Sequence, residues 1–230
     1  MTEEQNPTAA PRRRTLSKEA VLRAAVELAD EAGGRGTPTM RALAERLGVE
    51  AMSLYHHVRN KEALLDGMVD LVFGEIELPP RDGGWRDALR LRSVSAREVL
   101  IRHPWAIGLM DSRRHPGTAT LRHHDAVLGC LRTGGFSVAG AAHAFSVLDS
   151  YVYGFALQEL SLPFDPSGRR GELAEVAASI TADLPPDAFP HLAELITEHA
   201  LKPDYAYAEE FGIGLDLVLD GLTERRSAWA

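Results

Sequence analysis

Apolar residues recur every three to four positions through most of the chain, which places them on one face of an α-helix. In the stretch TMRALAERLG they fall at Met40, Leu43, Ala44 and Leu47. Gly48 follows directly, and glycine suits the end of a helix because it adopts positive φ without strain. Similar patterns predict helices in the segments 17–32, 61–76, 85–102, 116–131, 138–162, 172–182, 187–200 and 205–223. The pattern therefore predicts an all-α protein.

A second short apolar set begins soon after Gly48. Its members Leu54 and Val58 are four positions apart, so they face the same side of a helix. Asn60 precedes the next helical segment, where its side chain can cap the helix by accepting a backbone hydrogen bond. Two short helices around a glycine turn predict a helix-turn-helix, whose second helix usually reads the major groove of DNA.

Residues 39–65 carry a specific pattern. Their sequence is TMRALAERLGVEAMSLYHHVRNKEALL, which contains T-x-R-x-L-A-x-x-L-G-V, then L-Y-x-H-V, then N-K-E-x-L-L. With the helix that precedes it, this pattern resembles the TetR/AcrR transcriptional regulators, and it is most similar to their tetracycline-repressor branch. The resemblance implies an N-terminal three-helix DNA-binding head and a larger helical regulatory and dimerisation domain. We expect a disordered basic tail at 1–14, a helix-turn-helix DNA-binding domain at 15–62 and a helical ligand-binding and dimerisation domain at 63–230.

The DNA-contacting residues are expected at the start of the second helix, on the outward side of the third, and at the start of the fourth. The candidates are Thr39, Arg41, Ala51, Met52, Ser53, Tyr55, His56, His57 and Lys61. Apolar members can touch a thymine methyl group, and polar members can bond base edges or phosphates. Met52 stands where the family often has a small or turn-forming residue, so the half-site sequence stays open. The adjacent His56 and His57 diverge by about 100° on a helix, which disfavours a shared metal ion.

Charge is distributed unevenly along the chain. The 230 residues carry a net charge of −8, but residues 1–62 contain ten lysines and arginines against nine acidic residues. The acidity therefore lies in the remainder, and the helix-turn-helix can still meet phosphates. Residues 12–14 are all arginine and can either lie along DNA or solubilise the N-terminus. The arginines at 86, 90, 92, 97 and 102 share a helix with Asp87 and Glu98, which favours a solvated face over a nucleic-acid surface.

The composition is that of an ordinary globular protein. No apolar run is long enough to span a membrane, and no secretory signal opens the chain. The single cysteine, Cys130, has no partner for an internal disulfide. These features predict a cytoplasmic protein with no membrane partner and no cofactor.

The larger domain supplies aromatic, apolar and a few polar side chains suited to a pocket between helices. The candidate ligand-binding residues are Trp105, Met110, His124, Phe145, Tyr151, Phe155 and Gln158, each of which can instead serve the core. By resemblance, Met110 and Glu77 stand near positions where tetracycline-responsive members have drug-contacting histidines. We therefore expect an apolar or aromatic small-molecule effector rather than tetracycline.

Catalysis is not expected. The sequence lacks the HExxH, GxSxG, Walker and GxGxxG motifs. A group of residues in one third of the chain can meet as a metal cluster only after folding, and their spacing matches no common site. These are His103, His115, His123, His124 and Asp125. We therefore expect no catalytic and no metal-ligating residues.

The sequence as a whole favours a ligand-responsive, homodimeric transcriptional repressor. By resemblance, the helix that begins after Ser137 and the last helix pair with their copies in a four-helix interface. Such a dimer presents two reading helices about one DNA turn apart, which implies a near-palindromic operator. Two alternatives stay open: a ligand-independent regulator or activator of the same fold, and a helical ligand-binding or interaction protein whose head does not read DNA.

Overall fold

The computed structural model describes residues 16–34, 36–168, 170–182 and 188–229, and every regular element in these ranges is helical. The α-helices are α1 (Lys18–Glu31), α2 (Met40–Leu47), α3 (Ala51–Leu54), α4 (Lys61–Glu75), α5 (Trp85–Arg102), α6 (Thr118–Thr133), α7 (Val138–Leu160), α8 (Arg170–Thr181), α9 (Pro190–Leu195) and α10 (Tyr207–Arg225). Short 3-10 turns span Pro104–Ala106, Met110–Ser112 and Arg226–Trp229, and a π-helical turn, Ile196–Ala200, follows α9. The predicted all-α class is confirmed. The predicted tail at 1–14 lies outside the described residues, and none of the described helices is both long and apolar enough to cross a membrane.

Local capping explains where four of the helices begin. The side chains of Ser17, Thr39, Asn60 and Ser137 each accept a hydrogen bond from a backbone amide three residues on, at 3.1, 3.2, 2.8 and 3.1 Å. Each bond satisfies one amide that the first helical turn leaves without a partner. Gly48 ends α2 with φ of 64°, the left-handed conformation expected at that position. The starts of α1, α2, α4 and α7 are therefore encoded locally.

One hydrophobic core runs through the whole structure. Ala25 of α1, Leu43 of α2 and Leu54 of α3 are fully buried together. α4 adds Leu64 at its start and Phe73 near its end, in the same cluster as residues of α5, α6, α7 and α10. We refer to α1–α3 as the head and α5–α10 as the body, with α4 shared between them. The predicted boundary between residues 62 and 63 falls in the first turn of α4.

The arginines of α5 form a solvated face only in part, because the side chains of Arg92 and Arg97 are 1% and 17% exposed, whereas that of Arg102 is 53% exposed. Each one meets an acidic partner on a helix packed nearby: Arg86–Asp220, Arg90–Asp216, Arg92–Asp149, Arg97–Glu159 and Arg102–Glu75. The partners lie 27 to 134 residues away along the chain. Because α4, α7 and α10 supply these acids only after they pack around α5, the spacing of charges within α5 could not reveal them.

Arg92 forms a polar centre in the body. It is 1% exposed, and its Nη1 donates to Asp149 Oδ1 of α7 at 2.6 Å. Its Nε and Nη2 lie 3.0 and 2.6 Å from His123 Nε2 of α6. Because a guanidinium only donates, His123 Nε2 must accept, and the imidazole is neutral with its proton on Nδ1. Burial, followed by the charge of Arg92, lowers the pKa of His123 to about 3.

We expect Arg92→Ala to lower the free energy of unfolding by about 3–5 kcal/mol, because it leaves a buried carboxylate without its partner. Urea unfolding of the full chain measures the loss. Arg122→Ala removes an exposed arginine of α6 and serves as the control, with an expected change within about 0.5 kcal/mol. Equal losses in the two variants would contradict the structural role of Arg92.

Acidification should destabilise the fold through His123. Its pKa is about 3 in the folded protein and about 6.5 in an unfolded chain, so between these values only the unfolded chain takes up the proton. The free energy of unfolding should therefore fall as the pH drops from about 6.5 towards 3, with this group contributing up to about 1.4 kcal/mol per pH unit.

Urea unfolding at about pH 6.5, 5.5 and 4.5 tests this contribution to the pH dependence. His123→Gln should flatten it, whereas His143→Gln, which replaces an exposed histidine of α7, should leave it unchanged. The same slope in both variants would show that His123 does not take part.

Candidate nucleic-acid interface and effector cavity

The predicted DNA-contacting residues lie at the start of α2, on α3 and the turn that follows it, and at the start of α4. Thr39, Arg41, Met52, Tyr55, His56 and Lys61 are exposed, whereas Ala51, Ser53 and His57 are half-buried. Met52 is 73% exposed and Tyr55 is 43% exposed. Large apolar and aromatic side chains so exposed on a short helix are available for contact with another molecule.

The orientation of α3 is fixed from its inner side. Leu54 is 0% exposed and Val58 is 2% exposed, which confirms that both face the core. α3 itself spans only Ala51–Leu54, and the chain continues as a turn in which the amides of His57 and Val58 donate to the Leu54 carbonyl at 2.9 Å. These contacts hold the outward residues of α3 on a rigid support.

The charges around this surface differ in how firmly they are held. Arg41 is 88% exposed in its side chain and donates to Glu45 at 3.0 Å, a surface pair that contributes little and is easily exchanged for a phosphate. Arg46, by contrast, donates through both terminal nitrogens to Glu31 of α1. Arg46 therefore fixes α2 on α1, while Arg41 stays available to a ligand. The Thr39 hydroxyl accepts from the Ala42 amide as the cap of α2 and can still donate a hydrogen bond of its own.

The seven predicted ligand-binding residues lie in three different surroundings. Met110 and His124 line a cavity of about 150 Å³ between α4, α6 and the turn that precedes α6. Phe145 of α7 packs against His124, with the ring centroids 5.2 Å apart. The other lining residues are Asp66, Val69, Arg113, Pro116 and Thr120. Sequence reasoning missed the polar members, because they become neighbours only when α4 packs on α6.

Three further candidates belong to an aromatic cluster that joins α7 to α10. Tyr151 stacks on Phe211 with centroids 5.5 Å apart, and Phe155 stacks on Tyr207 at 5.2 Å. The Tyr207 hydroxyl donates to Gln158 Oε1 at 3.1 Å. Burial raises the pKa of Tyr151 to about 12, and its hydroxyl donates to the Phe211 carbonyl at 2.9 Å. These contacts give the cluster a structural role in packing α7 on α10.

The seventh candidate, Trp105, lies at a polar junction between head and body. Its Nε1 donates to Asp30 Oδ1 of α1 at 2.7 Å, and His103 Nδ1 lies 2.9 Å from the same oxygen. His103 Nε2 lies 3.1 Å from Glu75 Oε2, which also accepts from Arg102 at 2.8 Å. Partial burial raises the pKa of Glu75, but the hydrogen bonds from Arg102 and His103 outweigh it and lower the pKa overall. Trp105 therefore helps to hold α1 against the body.

The histidines considered as a metal cluster occupy different environments. His103 lies in the head–body junction, whereas His123 lies in the buried polar centre. Within the part of the chain that the structure describes, no three His, Cys, Asp or Glu side chains are grouped closely enough to hold a metal ion.

Two family models match the chain. Residues 21–68 match the family described as bacterial regulatory proteins, tetR family, and residues 79–226 match the tetracyclin repressor-like C-terminal domain. The first match covers the helix-turn-helix, and the second begins after α4 and runs through α10.

Named relatives are similar over much of their length. The chain is 37% identical to an HTH-type transcriptional regulator of Saccharopolyspora erythraea, over 74% of this chain and 72% of that protein. It is 33% identical to the HTH-type transcriptional repressor DrrR1 of Streptomyces coeruleorubidus, over 90% and 77% of the two chains. It is 32% identical to the class A tetracycline repressor from transposon 1721 of Escherichia coli, over 92% of each.

Solved structures share the fold. The Streptomyces coelicolor TetR family protein ActR in complex with actinorhodin matches with a TM-score of 0.74 and 26% identity, over 92% of this chain and 98% of that one. A TetR variant of Acinetobacter baumannii AYE in complex with minocycline matches with a TM-score of 0.67 and 26% identity, over 92% and 95%. With one family model over the helix-turn-helix and another over most of the body, this chain belongs to the TetR family of DNA-binding transcriptional regulators.

Proposed function

We propose that this protein is a homodimeric repressor that binds a near-palindromic operator and is released from it by a small molecule. The observation that carries the proposal is the exposed surface of α2 and α3, held from behind by buried Leu54 and Val58. A helix that shows polar and aromatic side chains to solvent while its other side is locked into a core suits base reading in a major groove.

The predicted DNA-contacting residues divide into those suited to phosphate contacts and those suited to base contacts. Thr39, Tyr55 and Lys61 suit phosphate contacts at the edges of the surface, where their hydroxyl and ammonium groups fix the register on DNA. Arg41 can meet guanine O6 and N7 through its planar fork. Met52, Ala51 and Ser53 lie where a reading helix meets base edges, and a methyl-bearing side chain there favours thymine.

Exposed apolar stripes on α7 and α10 support the homodimer. Val147 and Leu157 of α7 are 45% and 56% exposed, and Ile213 and Leu217 of α10 are 59% and 71% exposed. The opposite sides of the same helices pack into the body core, so both helices are apolar on two sides. The exposed side is expected to be buried against another protein surface. A Cβ built at Gly154, between the two α7 residues, meets nothing within 4 Å, which leaves room for a close helix.

A small-molecule effector is supported by two features. The body contains the cavity next to Met110 and His124, and similar proteins were solved with actinorhodin and minocycline bound. An effector that binds better to a body arrangement with altered head spacing draws the dimer into that state, by no more than its difference in affinity for the two states. α4 is the natural connection, because it is packed into both regions.

Operator binding is tested by titrating the purified protein with its own upstream intergenic DNA across a salt series, with unrelated DNA for comparison. Wild type should prefer the upstream DNA, and Arg41→Ala should weaken that binding by about 5- to 150-fold, the value of one lost bidentate base contact. Arg225→Ala, which removes an exposed arginine at the end of α10, is the charge-matched control. Equal affinity of all three proteins would favour a head that does not read DNA.

The dimer is tested by Leu217→Glu, which introduces a charge into the exposed α10 stripe. Sedimentation should change from a dimer towards the 25.1 kDa monomer, and operator affinity should fall with it, because a single head loses the second half-site. Leu121→Glu places the same charge at a 56% exposed leucine of α6 and should leave the dimer intact. A wild-type protein that sediments as a monomer would refute the proposed assembly.

A further inference from the structure

Three acidic residues form a stripe on α4, and the middle one, Asp66, lines the cavity. Glu62, Asp66 and Asp70 are four positions apart, so they lie on one side of the helix. Arg113 Nη1 lies 2.9 Å from Glu62 Oε2 and 3.7 Å from Asp66 Oδ1. Asp70 Oδ1 accepts from the Thr120 amide at 2.8 Å and from its hydroxyl at 2.9 Å. The segment before α6 and the first turn of α6 are thus tied to α4 by polar contacts at two points.

The cavity of about 150 Å³ lies among these contacts. Asp66, Arg113 and Thr120, which take part in them, also line it. Val69, Met110 and Pro116 supply apolar lining, and His124 adds an imidazole. An occupant of the cavity would therefore lie next to residues that fasten α4 to the segment before α6 and to the start of α6.

Arg113 is the cationic residue that lines this cavity, and its present contacts hold it weakly. Its side chain is 13% exposed, whereas that of Glu62, its short-range partner, is 72% exposed, so water screens the pair. Its Nε and Nη2 lie 3.3 and 3.2 Å from the same Ser112 hydroxyl oxygen. A guanidinium has five N–H donors in a planar fork that matches a carboxylate. Ser112 and the exposed Glu62 use part of that capacity, and the more buried Asp66 is a longer-range partner, 3.7 Å from Nη1.

We propose that this cavity binds a small aromatic molecule bearing an anionic oxygen, a carboxylate or a phenolate, and that Arg113 couples its binding to the DNA-binding head. This inference rests on the proposed function and gives its effector a chemical class. The anionic oxygen accepts hydrogen bonds from the Arg113 guanidinium, while the ring lies against Val69, Met110 and Pro116. Glu62 and Asp66 then lose their cation.

The consequence for α4 follows from charge. Asp66 is 18% exposed in its side chain, so its carboxylate would face the bound anion with little screening once Arg113 turns away. The repulsion displaces the first turns of α4 from the cavity. Lys61, a proposed phosphate contact, is the residue before Glu62, so the displacement reaches the DNA-binding surface directly. Arg113 is thus a positioning residue for DNA binding and a direct contact for the effector.

The site can be tested without DNA through the methionine methyl groups. The chain has five methionines, of which Met110 lines the cavity and Met52 lies on α3. In the full-length protein labelled at methionine methyl carbons, titration with benzoate should shift the Met110 signal saturably and leave Met52 unchanged. Benzamide, which has the same ring without the charge, should bind at least tenfold more weakly.

Variants of two neighbouring arginines show which of them binds the benzoate carboxylate. Arg113→Gln should abolish the preference for benzoate over benzamide, and Arg113→Lys, which keeps the charge but not the fork, should restore part of it. Arg114→Gln removes the adjacent exposed arginine and should behave as wild type. Equal binding of benzoate and benzamide to wild type, no benzoate shift at Met110, or a preference that survives in Arg113→Gln would each overturn the anionic site.

The coupling is measured separately, as the operator affinity at saturating benzoate. It should fall at least fivefold for wild type and Arg114→Gln, and not for Arg113→Gln. An unchanged affinity in wild type with a normal Met110 titration would overturn the coupling while leaving the site. A protein that binds no operator at all would refute the proposed function instead, and the Met110 titration would still decide whether the anion site exists.

Discussion

The fold depends most on the packing of α4, which is buried in two regions at once. Its apolar residues Leu64, Met68, Val72 and Phe73 are almost fully buried, and they lie in a single core that includes α1 on one side and α6 on the other. A close-packed interface of this kind does not deform gradually, because small gaps already lose much of the contact energy. We therefore expect a change in the position of α6 relative to α4 to reach α1–α3 through a shift of the whole helix, with the polar contacts along α4 favouring one position.

The ionic groups of this protein fall into two classes with different tasks. Arg92 is removed from water, and its donors are used by Asp149 and His123, so any other packing of α5 against α6 and α7 would strand a charge at a cost of several kcal/mol, on the order of 3–5. The nearest acidic partners of Arg41 and Arg113, Glu45 and Glu62, are exposed, and such pairs contribute roughly 0–1 kcal/mol. The first class selects one arrangement of the body. The second class leaves cations that another ligand can take over.

Local features were predictable from the sequence, whereas non-local ones were not. The cap at Asn60 and the shared direction of Leu54 and Val58 depend on residues within a few positions of each other, and the structure confirms them. The partners of the α5 arginines come from other helices, so the mixed charge within α5 predicted a solvated face but could not reveal that Arg92 and Arg97 are buried against α7. The surroundings of the ligand-binding candidates were hidden for the same reason, because the sequence pattern of an aromatic residue of α7 is the same whether it faces a cavity or packs on α10. Asp66 and Arg113 carried no aromatic or motif signal, and only the packing of α4 on α6 brings them together.

The proposed effector response is better suited to Arg113 than to Arg92, because the contacts of Arg113 need less energy to break. An effector can shift an equilibrium only by its difference in affinity for the two states, and couplings between sites are typically about 1–3 kcal/mol. Breaking the contacts of Arg92 would cost more than this coupling energy, because it would leave Asp149 and His123 unpaired inside the body. Exchanging the exposed Glu62 for a ligand anion at Arg113 would break only a screened pair, and the anion would then face Asp66, which is 18% exposed. The polar centre therefore keeps the body in one arrangement, and the weaker contacts on α4 are the ones that a small molecule has enough binding energy to change.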